Sequence, residues 1–238
     1  MSESALQLES RFSLPPNSLG YCGLKTAGAV FQECIKTGKC ERVPQEVDHF
    51  IVLNPYLNFL HKVTALPKFS YEVIEGYWIG NDILKKAKAK DYFLLLDYFK
   101  KQGVPDFLLD ELKDRKPENF IPSHLFQVLH VGVGRASGSV PFNIETINNC
   151  MVRWGEVKKV TAEKAEIELN SLREKSKGVY ELTSILQEVP YSGWLTPGLK
   201  MGDIAVVHWN MVIKTFSEEE EEKIMYWTKE VIKSRFNA

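Results

Sequence analysis

"NNCMVRWGEV", residues 148–157, marks the point at which this chain changes character. Cys150 stands immediately before what reads as a β-strand, and Gly155 lies within that strand. Upstream, to about residue 120, apolar residues recur at helical spacing; from 150 onward they alternate. "MVRWGEVKKV" and "KAEIELNSLRE" read as strands, and "GVYELTSILQEV" as a less regular one. "PYSGWLTPGLKMGD" is turn-rich, and Gly202-Asp203 opens the strand "IAVVHWNMVIKTF". In it His208 shares a face with Ile204 and Val206, while Ala205, Val207 and Trp209 face the other way. Ser217 then caps a final helix with Glu220 as its capping-box partner. The run Glu218 to Glu222 suits the positive end of the helix dipole, and Ile224, Trp227 and Val231 form the buried stripe.

The first half predicts helices. "LKTAGAVFQECIKTG" is stopped by Gly38, "AKDYFLLLDYFKKQG" by Gly103, and "PDFLLDELKDRK" is opened by Pro105 and Asp106. Pro55 starts or kinks a helix within "EVDHFIVLNPYLNFLHKVTAL", and "SYEVIEGYWIGNDILKKA" continues the pattern. "RFSLPPNSLGYCG" reads as a loop, whereas "HLFQVLHVGVGRASGSVPFN" fits either a strand running into a loop or a helix end. The expected class is α+β: a mainly helical domain, 1–147, packed on a small OB-like antiparallel barrel with a terminal helix, 148–238.

The chain has 238 residues, 44% of them hydrophobic and 26% charged, an ordinary globular composition long enough to bury a core. Its formal net charge of -1 argues against a nucleic-acid footprint. "MSESALQLESRF" lacks a signal-peptide pattern and no apolar run reaches membrane-span length, so a cytoplasmic protein with no membrane partner is expected. Cysteines at 22, 34, 40 and 150 show no CxxC spacing and are expected as free thiols. No Walker-type phosphate loop, GxGxxG, HExxH or GxSxG occurs, and "GVGRAS" reads as a flexible connection.

Several residues bear chemistry. His124 and His130 lack an acidic or cysteine ligand at a telling interval and are more simply hydrogen-bonded interior histidines. Cys22 is either a thiol at the tip of a functional loop or part of a packed turn. Cys150 and His208 are each, taken alone, ordinary core residues. Together, a thiolate and a neutral imidazole form a partial ligand set for a soft or borderline metal such as iron(II). Two protein ligands are too few for a structural site; they suit a transient one.

The stretch from Cys150 to the last helix resembles the small HypC/HupF-type hydrogenase-maturation chaperones. Those begin with Met-Cys and reach Pro-Gly at the spacing that here separates Cys150 from Trp154-Gly155. Their later strand resembles "GDIAVVHWNMVIKTFSEEEEEK", with Gly202, Asp203 and His208 in register. The resemblance implies that Cys150 and His208 are metal ligands handling iron with its diatomic ligands. The implied partners are hydrogenase maturation proteins or the hydrogenase large subunit. Two departures stand out: Cys150 is internal rather than at a chain start, and Trp154 replaces proline. The whole chain also resembles an uncharacterised prokaryotic family at "RFSLPPNSLGYCG", "YWIGN", "CMVRWGEV" and "GDIAVVHWNMV". That resemblance adds Asn17, Cys22, Trp78 and His124 as site candidates without roles.

The leading expectation is an accessory, chaperone-like protein of NiFe-hydrogenase maturation, more plausibly a carrier than an enzyme. A cysteine-dependent enzyme with its site between the halves, using Cys22 or Cys150 with His124 or His130, is the alternative. An oligonucleotide-binding barrel is the third reading, opposed by the near-neutral charge.

Overall fold

A computed structural model describes residues 3–236, Lys177 excepted. Helices fill the first half: α1 (Ala5–Ser18), α2 (Ala27–Thr37), α3 (Val43–Val47), α4 (Leu53–Thr64), α5 (Tyr71–Trp78), α6 (Tyr92–Gln102) and α7 (Asp106–Asp114). Gly38 and Gly103 close α2 and α6 in the left-handed conformation, as their sequence positions predict. The ambiguous stretch after residue 121 resolves as helix. α8 (His124–Phe126) runs on as a π-helical turn over Gln127–Gly132, and α9 (Ile144–Cys150) follows, capped by Asn143. Single π-turns recur at functional sites, because the extra residue re-aims neighbouring side chains.

The second half carries β1 (Arg153–Val160), β2 (Lys164–Ser176), β3 (Val179–Pro190), β4 (Ile204–His208) and β5 (Met211–Phe216), then α10 (Glu218–Phe236). All ladders are antiparallel and the order is β3-β2-β1-β4-β5. The expected barrel is corrected here. Among the described residues no ladder joins β3 to β5, so the sheet is open, with β1 at its centre. One face holds Val157, Ile167, Leu169, Ala205 and Val207 in a small cluster. The other, with Trp154, Val206 and Ile213, merges with the large core of the helices. The capping box of the last helix forms as read, Ser217 and Glu220 exchanging backbone–side-chain bonds of 2.9 and 3.2 Å.

Two further expectations fail in the helical half. The Pro-rich "RFSLPPNS" is not a loop: α1 runs through Pro15 and Pro16. Its capping box at Ser4 and its buried stripe, Leu8, Phe12 and Leu14, hold the helix despite the missing N–H groups. Nor are all four cysteines free: Cys34 and Cys40 are joined in a disulfide, and Cys22 and Cys150 are the free thiols. Gly38 turns the chain back at the end of α2, leaving the two Cα atoms 4.5 Å apart, within bridging range. A separation of six residues gives no such signal in the sequence.

Candidate metal centre

Residues far apart in sequence converge where the sheet meets the helices. β1 pairs with β4 so that Arg153 lies opposite Val207, which brings the end of α9 beside His208. The turn after β4 completes the approach. Trp209 and Asn210 both adopt left-handed backbone, with φ of 47° and 55°, and Trp209 N–H donates to the Asn149 carbonyl at 2.7 Å. Paired left-handed residues make the tight turn that matches the twist of a hairpin. The alternation read from sequence holds for Ile204, Val206 and His208 against Ala205 and Val207. It fails at Trp209, which the turn swings to the helical side, its ring 4.6 Å from that of Tyr21.

His208 is buried, and its Nδ1–H donates to the Phe12 carbonyl at 2.7 Å. The proline pair explains why that carbonyl is free. In a helix the Phe12 carbonyl would accept from the N–H of residue 16, and Pro16 has none. Its Nε2 consequently carries the lone pair and has no hydrogen-bond partner of good geometry. The Cys150 carbonyl lies close enough to favour protonation there, but that carbonyl's own bond, 2.7 Å long, is to Nε2–H of His124. With Nε2 of His124 donating, its Nδ1 is the acceptor and faces the Tyr77 hydroxyl at 3.1 Å.

Ligand atoms of His124, Cys150 and His208 all lie within 4.8 Å of one another, and all three residues are buried. Burial holds the His124 imidazole down at about 4, with the Cys150 carbonyl and the Gln127 side chain opposing the shift. Burial, then repulsion from His124, holds His208 at about 3. Both rings are therefore neutral at ordinary pH, the form that ligates metals. Burial pushes the Cys150 thiol well above its usual range, so it stays protonated until a cation displaces the proton.

The remaining candidates fall into clear places. Trp78 is a wall: its ring stacks on Phe12 at 4.9 Å and lies 4.4 Å from His124, and its indole N–H donates to Glu9 at 2.8 Å. Glu9 is wholly buried, and desolvation raises it to about 7 against the bonds from Ser13 and Trp78. Asn17 is a brace, its amide donating to the carbonyls of Cys22 and Leu24, both at 2.8 Å. His130 is not part of the cluster; its Nε2 lies 2.8 Å from the Tyr92 hydroxyl and its ring stacks on Phe126.

A cavity of about 380 Å³ opens onto the cluster, lined by His124, Cys150, His208, Cys22, Tyr21 and Trp209 among others. The Gly- and Ser-rich loop from Gly132 to Val140 forms one wall, so "GVGRAS" is a cavity wall rather than a free connection. Neither this loop nor the segment Phe50 to Leu53 opposite it carried a sequence signal as a site.

The role of Pro16 is testable. In Pro16→Ala a restored N–H competes for the Phe12 carbonyl and loosens His208. Exchange of the His208 Nδ1–H, followed by NMR, is expected to quicken about fivefold, the equivalent of one hydrogen bond of ~1 kcal/mol. Unchanged exchange would show that the carbonyl serves both donors.

A family model described as a family of unknown function, DUF6390, matches residues 1–237. The chain belongs to DUF6390. No curated protein and no solved structure matches this DUF6390 chain. None of these comparisons shows the C-terminal resemblance to the hydrogenase-maturation chaperones.

Proposed function

We propose that this protein is a metal-handling accessory protein that holds a soft or borderline transition metal through Cys150 and His208, with His124 beside them. The observation that carries this is the orphaned Nε2 of His208: a buried lone pair in the 4.8 Å triad, on a ring fixed by its other nitrogen. Metal-binding histidines are oriented in this way, by a carbonyl on the nitrogen that does not ligate. Thiol and imidazole donors favour zinc, iron or copper over magnesium and calcium.

The specific version is NiFe-hydrogenase maturation. The iron would arrive with cyanide and carbon monoxide attached, and the protein would meet a maturation partner or the hydrogenase large subunit. A cavity of about 380 Å³, far larger than a bare ion needs, supports a cargo that brings its own ligands. Such work belongs in the cytoplasm, where the Cys34–Cys40 pair would be subject to reduction. Among the described residues no helix is long and apolar enough to cross a membrane.

A metal-free cysteine enzyme is the weaker reading. A nucleophilic thiolate needs a lowered pKa and a nearby base. Here burial drives Cys150 up, and the nearest histidines are too acidic to take its proton.

The test is anaerobic co-expression with the hydrogenase maturation proteins, followed by infrared spectroscopy of the purified chain. Cyanide and carbonyl bands that vanish in Cys150→Ala are the expected result. Absence of bands, or bands indifferent to Cys150→Ala, removes the iron-fragment version.

A further inference from the structure

We propose that Cys22 is the second thiolate of this metal centre, reaching into the cavity from the loop between α1 and α2 to complete a mixed sulfur and nitrogen ligand set. The inference rests on the reading that Cys150 and His208 bind a metal, and adds a ligand to it.

The donors already in place are insufficient. The Nε2 proton of His124 is committed to the Cys150 carbonyl, and its Nδ1 is turned to the Tyr77 hydroxyl. That leaves Cys150 and the unpartnered Nε2 of His208, which is only 1% exposed, as the donors free to bind. Thiophilic ions such as zinc and cobalt ordinarily take four ligands, and sites that keep one position for water or cargo take three of them from the protein. Cys22 is the other free thiol among the described residues, and it lines the same cavity.

The Cys22 loop is built to hold its place. Asn17, itself 5% exposed, donates one hydrogen bond to the Cys22 carbonyl and another to that of Leu24. Gly23 takes a φ of +73° and sits so close to Phe50 that a Cβ there would lie 2.4 Å from the ring. Tyr21 packs on Trp209, the residue directly after His208. The loop is thus pinned on three sides, with Cys22 at the cavity. Cys22 is exposed and lines the cavity into which the buried donors face.

Cys22 is not part of the tight triad, so it closes on a metal rather than preorganising the site. Cys22 is exposed whereas His124, Cys150 and His208 are buried, so it is the donor of the four nearest to solvent. Each metal–sulfur bond forms as a thiol gives its proton to solvent, and no oxidant or reductant is required.

The experiment is an anaerobic Co²⁺ titration of the full chain, reading the near-ultraviolet thiolate-to-cobalt band, whose intensity scales with the number of Co–S bonds. Cys22→Ser and Cys150→Ser are each expected to lower the band to about half, and the double variant to abolish it. Cys22→Ser alters an exposed loop side chain, and circular dichroism would verify its fold. A full-intensity band in Cys22→Ser overturns this inference while leaving Cys150 and His208 as ligands. No band in the unsubstituted chain overturns both.

Discussion

Acidification from pH 6.5 to pH 4 is expected to destabilise the protein by on the order of 3 kcal/mol net. The cause is the pair His124 and His208, held at about 4 and about 3 in the folded state. An unfolded chain gives both rings their ordinary value near 6.5. Between those limits the unfolded state binds protons that the folded state refuses. Their contribution is therefore fully present above pH 6.5 and drains away as pH falls. The two rings alone cost on the order of 5 kcal/mol by pH 4, a large share of a domain's whole stability of about 5–15 kcal/mol. Glu9 acts in the opposite sense. Raised to about 7 in the fold, it takes up a proton that the unfolded chain gives up near 4.5. Its contribution is present below 4.5 and lost as pH rises through 7, worth on the order of 3 kcal/mol. Glu9 thus offsets about 2 kcal/mol of the histidine loss by pH 4, and the two effects together place a shallow stability maximum at about pH 7. Urea unfolding across pH 4 to 8 measures the profile, and Glu9→Gln should steepen its acid side, to a loss of ~5 kcal/mol by pH 4. A maximum below pH 5 would contradict the assignment of both histidines as neutral.

Gly155→Ala is expected to be the most damaging single methyl added to the sheet. A Cβ at Gly155 would lie 1.9 Å from the Glu168 carbonyl oxygen and 2.9 Å from the Leu169 Cα. Both are backbone atoms of β2, and β1 is held between β2 and β4, so neither side can yield cheaply. Overpacking ordinarily costs about 1–3 kcal/mol; a backbone collision in a central strand belongs at or above the top of that range. Thermal unfolding should shift down by roughly 10 °C, at about 2–4 °C per kcal/mol for a chain of this size. Gly38→Ala is the control. Nothing lies within 4 Å of a Cβ there, so only its left-handed φ of +76° is strained. That costs about 1–2 kcal/mol. Equal shifts for the two variants would mean the strands separate freely.

Gly155 also shows how far the sequence could be read. Its spacing from Cys150 suggested a motif, yet the reason for glycine is a close strand approach that no single-strand pattern can express. The β half was legible because alternation and turn residues are local signals, and so was the capping box at Ser217 and Glu220. Closure of the sheet was not, since whether β3 reaches β5 depends on curvature rather than on any residue in either strand. At the centre, Cys150 and His208, paired from the sequence, have ligand atoms within 4.8 Å of one another. His124 was a candidate without a role because its partners are non-local: Tyr77 lies 47 residues away and the Cys150 carbonyl 26. The proline pair misled most. It breaks helices on propensity alone, but here α1 persists and the lost N–H releases the carbonyl that His208 uses.

The bond between Phe12 and His208 spans 196 residues. A ribosome delivers Phe12 and Cys22 first, then His124 and Cys150, and His208 last of these. Until β4 has emerged and paired with β1, the imidazole that completes the cluster has neither its carbonyl anchor nor its neighbours. A stalled or truncated chain would therefore present loose thiols but no assembled site. Assembly of the cluster waits on the pairing of β4 with β1, long after both free thiols have been made.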